Sequence, residues 1–298
     1  MSTFKNIALL GSTGNLGSRI LTALNKAGFT VTAIQRKDST NTPNGPAHSL
    51  KVDLSSESEL TRAFANQDVV VSALPMPRLA TDKIWMNAAI AAGVKRIVPS
   101  EFSTNMDNKL SQKLPIIKDK LEIRAYVEWN SVNNGPFMLP QMWLSGWMGP
   151  NPKTKTATFH DGGNAIVGTS TLERIGEGVA ASLLPENAEK TKNKAVYVYS
   201  AAVSERKIAD VISKLLGGVT FEETDLSVEQ ITKDAFAAYE KDQSTHDMRF
   251  YIPFCFGKGY GGDYRDIAMN KELGLKEMSD GELEEMFAGT LRKQGLIQ

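Results

Sequence analysis

Short apolar runs alternate with helix-like segments along the first half of the chain. Several of these runs contain many β-branched residues, as expected of buried strands. The segments between them repeat apolar residues with helical spacing. Strands are predicted at residues 5–10, 30–35, 50–54, 68–74 and 95–100, and helices at residues 18–27, 58–64 and 81–92. Such alternation is typical of βαβ units with right-handed crossovers. The predicted fold class is therefore α/β, a doubly wound parallel sheet with a smaller α/β lobe.

The pattern changes near residue 150. A sixth strand is predicted at residues 137–140, a loop at 150–155, a hairpin around Asp161-Gly162-Gly163 at 157–166, one strand at 195–201, and helices at 172–184, 204–216, 227–242 and 280–294. We expect residues 1–150 to form the nucleotide-binding sheet domain and residues 151–298 the smaller lobe. This boundary is blurred if the chain crosses back between the two.

A glycine-rich turn joins the first strand to the first helix. In GSTGNLG, residues 11–17, Gly11 permits a tight turn, Gly14 lets the backbone approach a pyrophosphate, and Gly17 lets the helix pack closely on the strand. The intervening Thr13, Asn15 and Leu16 lie where backbone N–H groups of a helix N-terminus bind phosphate. A strand–turn–helix context makes this a Rossmann-type dinucleotide site. The alternative is a glycine turn without a ligand.

The residues that end the second strand favour one nucleotide over the other. An acidic residue there would accept a hydrogen bond from the ribose 2′-hydroxyl, but this chain has Gln35-Arg36-Lys37. The Arg36 guanidinium can bind a phosphate bidentately, and Lys37 adds a second positive charge. NADP(H) is therefore the expected cofactor. The alternative is a solvated surface pair. Asp53, after the third strand, either contacts the adenine side or caps the next helix.

Composition excludes several other classes of protein. The 298 residues carry 34 Lys+Arg and 34 Asp+Glu, which argues against nucleic-acid binding. Cys255 is the single cysteine, so no internal disulfide can form, and a cytoplasmic location is expected. No apolar run approaches the ~18 residues of a membrane span. The three histidines, His48, His160 and His246, are scattered, and no metal site is predicted.

Several motifs together resemble one family. They are GSTGNLG at residues 11–17, Arg36, VSAL at 71–74, VKRIVPSEF at 94–102 and IRAYVE at 123–128. The chain resembles the NmrA-like, isoflavone-reductase-like branch of the atypical short-chain dehydrogenases. The late segment GKGYGGDYRDIAMNKELG is similar to the fungal members of that branch. The resemblance implies an NADP-binding domain and a small substrate lobe with the active site between them.

The resemblance also implies a catalytic lysine that acts without a Tyr-x-x-x-Lys pair. Aligning residues 123–128 on the family's helix assigns that role to Lys120, with Lys118 as the fallback. The lysine would bind the nicotinamide ribose and act as general acid or base on the substrate. Cofactor contacts are expected from the ends of two strands, namely Ala73 and Leu74, and Ser100 and Phe102. The alternative is that both lysines are solvated charges on a helix.

The sequence indicates the substrate-binding residues less specifically than the cofactor-binding residues. Met142, Trp143, Trp147 and Met148 form either an aromatic pocket or, as we favour, the core between the lobes. Residues 254–264 have the composition of a lid, although such loops are common without that role.

These observations lead to one main hypothesis and two alternatives. The main one is an NADPH-dependent reductase of a small aromatic or polyketide-like substrate. The first alternative is a non-catalytic NADP sensor that acts through a protein partner and has no need for Lys120. The second is an isomerase or cyclase on the same scaffold. No membrane partner is expected, and a homo-oligomer is left open.

Overall fold

The structure is a computed structural model that describes residues 4–126, 130–244 and 247–298. The strands are β1 Asn6–Leu10, β2 Thr30–Arg36, β3 His48–Val52, β4 Val69–Ser72, β5 Arg96–Val98, β6 Ser131–Asn133, β7 Gly149–Asn151, β8 Thr156–His160, β9 Val167–Thr169, β10 Ala195–Tyr197, β11 Ala201–Val203 and β12 Glu222–Leu226. The helices are α1 Asn15–Lys26, α2 Glu57–Ala63, α3 Leu79–Ala91, α4 Lys118–Tyr126, α5 Pro140–Trp143, α6 Leu172–Leu183, α7 Pro185–Ala188, α8 Glu205–Leu215, α9 Val228–Asp242, α10 Tyr251–Phe256 and α11 Asp280–Lys293. Among these helices, none has the length and hydropathy required to cross a membrane.

A parallel sheet organises the first half of the chain. Its strand order is β3-β2-β1-β4-β5, and every neighbouring pair is parallel. The Asn130 N–H donates to the Ile97 carbonyl at 3.0 Å, which places β6 beside β5, and β10 pairs in parallel with β6. The reversal of strand order between β1 and β4 is the topology of a doubly wound sheet. The predicted α/β fold is confirmed.

Alternate residues of the sheet face two different helical layers. Ile7 and Leu9 of β1 pack with α1 and α6, whereas Ala8 and Leu10 pack with α2 and α3. Strands buried on both faces are apolar at successive positions, which is the pattern that the sequence shows. Helices therefore cover both faces of this sheet.

The second half of the chain contributes to both lobes. α6 and β10 share their core with β1 and α1, through Ile175, Val179 and Val196. A separate core, which includes Trp143, lies between α5, α8, α10 and α11. A single cut at residue 150 therefore does not separate the two cores, because the chain returns to the sheet after it.

The expected hairpin at residues 157–166 is wrong. β8 pairs with β7 on one side and β12 on the other, whereas β9 pairs with β11. The tight turn lies earlier, where the Asn151 side chain accepts from the N–H groups of Lys153 and Thr154. Asp161-Gly162-Gly163 instead has three successive positive φ angles, which turn the chain away from β8.

Two other predicted strands differ from the structure. The alternating segment at 195–201 divides into β10 and β11, which belong to different sheets. The sixth strand is Ser131–Asn133 instead of residues 137–140, where Phe137 makes one bridge to Ser170 and Pro140 begins α5. Proline has no N–H for a strand ladder and is well suited to the first turn of a helix.

The segment expected as a lid is largely packed into the interior. Phe254, Cys255, Phe256 and Tyr264 are each at most 4% exposed. The aromatic composition of residues 254–264 therefore reflects core packing, and the lid interpretation is wrong for these residues.

The contact between α1 and α6 generates a stability prediction. A Cβ atom at Gly176 would lie 2.7 Å from the Arg19 carbonyl oxygen, whereas one at Gly289 in α11 would meet nothing within 4 Å. We expect Gly176→Ala to lower the free energy of unfolding by about 1–3 kcal/mol through overpacking. Gly289→Ala, the matched control, should raise it by roughly 0.5–1 kcal/mol because alanine restricts the unfolded chain. Urea denaturation of both variants measures the difference, and an equal effect of the two would contradict this account of the contact.

Candidate active site

The glycine turn brings three backbone segments into contact. Gly11 has φ +79°, and a Cβ there would lie 2.7 Å from the Ala73 carbonyl oxygen. A Cβ at Gly17 would lie 2.0 Å from the Gly11 carbonyl oxygen. Both glycines are thus required by packing, whereas Gly14 has space around it and lies on the exposed surface of the turn. α1 begins after Gly14 with no side-chain cap, so its first N–H groups remain available to an anion.

The ends of β4 and β5 lie beside this turn. The Ala73 N–H donates to the Leu10 carbonyl at 2.9 Å, and the Ser100 hydroxyl donates to the Leu74 carbonyl at 2.8 Å. These bonds hold the two loops together at the carboxyl edge of the sheet. Ligands of doubly wound sheets bind at this edge, next to the change in strand order.

A cleft of about 640 Å³ begins at the glycine turn. Its volume is in the range of small-molecule sites. The predicted residues that line it are Gly14, Asn15, Leu16, Ala73, Leu74, Ser100, Phe102 and Lys120. Residues that sequence reasoning missed include Met76, Ile116, Asp119, Phe137, Met248 and Tyr251. The wall opposite the turn is therefore mostly apolar and aromatic.

Lys120 is half-buried in this cleft, on the first turn of α4. Its ammonium donates to the backbone carbonyl of Glu101. Desolvation by burial lowers the pKa of Lys120 to about 8, although the nearby Glu101 carboxylate raises it. Lys118, the fallback, is exposed and lines a different surface groove. The geometry distinguishes the two lysines.

An ion-pair network lies behind Lys120. Arg124, one turn later on α4, contacts both carboxylate oxygens of Glu101, from Nε at 3.0 Å and from Nη2 at 2.5 Å. Its Nη1 reaches Asp107 at 2.6 Å. Burial lowers the pKa of Arg124, but the hydrogen bond and charge of Glu101 more than offset this and leave that pKa raised.

The two basic residues at the end of β2, Arg36 and Lys37, have different environments. Arg36 is an exposed side chain at the carboxyl end of the strand and makes a loose 3.7 Å contact with Asp38. The Lys37 ammonium binds Glu59 of α2 at 2.6 Å, and this hydrogen bond raises the pKa of Lys37. Neither lines the cleft itself. In this arrangement Arg36 is the more accessible of the two for a phosphate.

Asp53 and His160 have structural roles. Asp53 accepts from the backbone N–H and hydroxyl of Ser55, and the cap of α2 is Ser56. His160 is buried against Glu205 at 2.8 Å. Within the described ranges no three His, Cys, Asp or Glu side chains cluster as a metal site. His246, and Val127 and Glu128 of the IRAYVE motif, lie outside the described residues.

The aromatic cluster belongs mainly to the core of the second lobe. Trp143 and Met148 are fully buried there, and Met142 and Trp147 pack against it. Trp147 stacks on Tyr251 with ring centroids 5.8 Å apart. The cluster therefore supports the cleft from behind through Tyr251 and does not line it.

The chain is similar in sequence to one family of proteins and to several named relatives. A profile of the NmrA-like family matches residues 3–252. The chain is 29% identical to oxidoreductase aprR of Aspergillus flavus over 96% of its length and 98% of that protein's. It is 28% identical to phenylcoumaran benzylic ether reductase Betv6 of Betula pendula, over 72% of this chain and 78% of that one.

Solved structures share the fold at lower identity. The crystal structure of isoflavone reductase aligns with a TM-score of 0.75 at 21% identity, over 96% of this chain and all of that one. The structure of AtPrR2 with NADP+ and (+)pinoresinol aligns with a TM-score of 0.74 at 21% identity, over 97% and 99%. At this identity the likeness establishes the Rossmann-type fold.

The burial of Lys120 generates a prediction about its reactivity. Since its pKa is lowered to about 8, we expect the neutral amine to form, and acylation to accelerate, as the pH rises through 8. Lys37, whose pKa is raised by Glu59, should react only at higher pH. Brief acylation across a pH series, followed by peptide mass spectrometry, measures both residues in one sample. A Lys120 midpoint at or above that of Lys37 would contradict the desolvated site.

Proposed function

The chain belongs to the NmrA-like family, and we propose that it is an NADPH-dependent reductase of a small aromatic or polyketide-like molecule. Lys120 is the general acid in this proposal. The observation that carries it is a half-buried, partly desolvated lysine in the cleft that begins at the glycine turn. Such an arrangement joins a nucleotide site to a proton donor.

The names of the relatives support the reaction class. Relatives at 24–29% identity include oxidoreductases aprR and poxI, a phenylcoumaran benzylic ether reductase and a eugenol synthase. A structure of the same fold binds NADP+ together with pinoresinol. The chain is accordingly an oxidoreductase, and the aromatic substrate is our inference from these names and from the cleft.

The residues present fit a bound NADP(H). The uncapped N-terminus of α1 would bind the pyrophosphate, and Gly14 leaves space for its approach. Arg36 would bind the 2′-phosphate, and Ala73, Leu74 and Ser100 would line the nucleotide's path to Phe102. When bound, the reduced nicotinamide supplies the hydride.

Lys120 would then complete the reduction with a proton. Below pH 8 it is an ammonium, oriented by its hydrogen bond to the Glu101 carbonyl, and can donate a proton to a substrate oxygen as negative charge develops there. Phe102, Phe137 and Tyr251 form apolar walls that exclude water and can contact an aromatic ring. Loss of the proton at higher pH should lower the rate.

The burial of Lys120 also favours a reductase over a sensor. A sensor needs the glycine turn and Arg36 but does not need a proton donor in the cleft. An isomerase or cyclase would use the same lysine without net consumption of NADPH. Turnover assays therefore separate all three functions.

Cofactor selectivity should depend on Arg36. Loss of a charge-assisted phosphate contact costs about 1.5–3 kcal/mol, so we expect Arg36→Gln to weaken NADPH binding by roughly 10–100-fold. NADH binding should remain unchanged. Lys37→Gln, whose native ammonium is engaged by Glu59, is the control and should have a much smaller effect. Calorimetric titration measures all four combinations, and equal losses for NADPH and NADH would exclude Arg36 as the phosphate contact.

Catalysis should depend on Lys120. Removal of a general acid typically slows a reaction by about 10²–10⁴-fold, and we expect that loss in kcat for Lys120→Ala. The neighbouring exposed residue supplies the control, because Lys118→Ala should leave kcat unchanged. The assay follows NADPH absorbance with ketones, enones and benzylic ethers. Nucleotide binding without turnover of any substrate would favour the sensor, and full activity of Lys120→Ala would refute the proposed mechanism.

A further inference from the structure

The Glu101–Arg124 pair is more completely buried than a surface ion pair. The Glu101 side chain is 1% exposed and that of Arg124 is 10% exposed. The pair is bidentate, with contacts of 3.0 and 2.5 Å. Bidentate geometry fixes the relative orientation of both groups, and loss of Arg124 would leave the buried Glu101 carboxylate without its bidentate partner. The pair therefore constrains the loop after β5 relative to α4.

A further contact extends this constraint to the sheet. Asp107 accepts from Arg124 at 2.6 Å and from the Tyr197 hydroxyl at 2.8 Å. Tyr197 is the last residue of β10, and its pKa is raised by burial and by the Asp107 charge, so it remains a donor. The loop after β5 is thus connected to α4 and to β10 by one continuous chain of hydrogen bonds.

The same loop supplies the group that contacts Lys120. The Glu101 carbonyl accepts from the Lys120 ammonium, and the next residue, Phe102, lines the cleft. Phe102 has φ +33°, a backbone conformation that residues other than glycine adopt only when their surroundings enforce it. The carboxylate held by Arg124 and the carbonyl that holds Lys120 belong to one residue. Movement of the carboxylate would therefore move the carbonyl and the Phe102 ring.

We propose that Glu101 and Arg124 act as a positioning pair that holds the Lys120 ammonium and the Phe102 ring in fixed positions in the cleft. In this scheme the Glu101 carboxylate and the Arg124 guanidinium act through Lys120. The assignment of Lys120 as the acid rests on the proposed function, whereas the placement of its ammonium by the pair does not.

The charges around Lys120 make this role measurable. They are the Glu101 carboxylate, Arg124 one turn away and Asp119 on the same helix, and Tyr251 is the titratable group on the opposite wall. The Glu101 carboxylate raises the pKa of Lys120, so Glu101→Gln should lower it further. Arg124→Gln removes a positive charge and should raise it. If the pair only stabilised the fold, both variants would admit water and raise that pKa together.

The test is pH-dependent acylation of Lys120 in the whole protein without nucleotide or substrate, read by peptide mass spectrometry. We expect the Lys120 midpoint to fall in Glu101→Gln and to rise in Arg124→Gln, each by about half a pH unit or more. Arg124→Lys should return the midpoint toward the native value. Glu285→Gln, which removes an exposed ion pair with Arg292 on α11, is the control and should not move it.

A milder substitution keeps the test informative if the other variants unfold. Asp107→Asn keeps the buried pair but removes its outer contact, and should shift the midpoint slightly in the direction of Glu101→Gln. Unchanged midpoints, or shifts of all variants in one direction, would overturn the proposal. Because the labelling needs no turnover, its outcome is independent of the reductase assay, and inactivity of the native protein would refute the proposed function alone.

Discussion

The close approach of three backbone segments at the glycine turn determines where the rest of the site can lie. The Gly11 carbonyl occupies the space that a side chain at position 17 would need, and Ala73 occupies the space beside Gly11. No residue with a Cβ fits at either glycine without displacement of backbone. β1, α1 and the loop after β4 are therefore held in one arrangement, with the N-terminus of α1 open toward the cleft. The hydrogen bond from Ser100 to Leu74 then brings the loop after β5 to the same edge.

The sheet was predictable because β1, β2, β4 and β5 are largely buried and all five strands alternate with helices or loops in sequence. Each strand carries its own local signal, and the crossover rule arranges the strands in space. The strands in the second half of the chain do not each carry such a local signal. The segment at 195–201 has one continuous alternating pattern, yet it serves two sheets, because its register depends on β6 and β9, which lie far away in sequence. The Asp161-Gly162-Gly163 segment likewise has hairpin composition, but its φ angles direct the chain elsewhere.

The same distinction separates the predicted and the missed site residues. Ala73, Leu74, Ser100 and Phe102 line the cleft because strand ends meet at one edge of a parallel sheet, a rule that the sequence alone can apply. Composition and spacing did not indicate Lys120, which came from the resemblance to a family. Tyr251 and Met248 reach the cleft only because the second lobe folds against it. The environment of Lys37 was also not predictable, because nothing in the sequence indicates that Glu59 will bind its ammonium.

The charged form of Lys120 carries a cost in stability. Its pKa is lowered in the folded protein, from 10.5 to about 8, so between these values the folded protein binds fewer protons at this site than the unfolded chain does. Stability from this group therefore rises with pH over that interval, and below about pH 8 the penalty for holding an ammonium in the cleft is fully present. Glu101 reduces the penalty through its carbonyl and its charge, whereas access to water would remove it. An apolar side chain of similar length would fill the same space without this penalty. Under the proposed function, the proton that Lys120 donates to the substrate is the benefit that offsets this penalty.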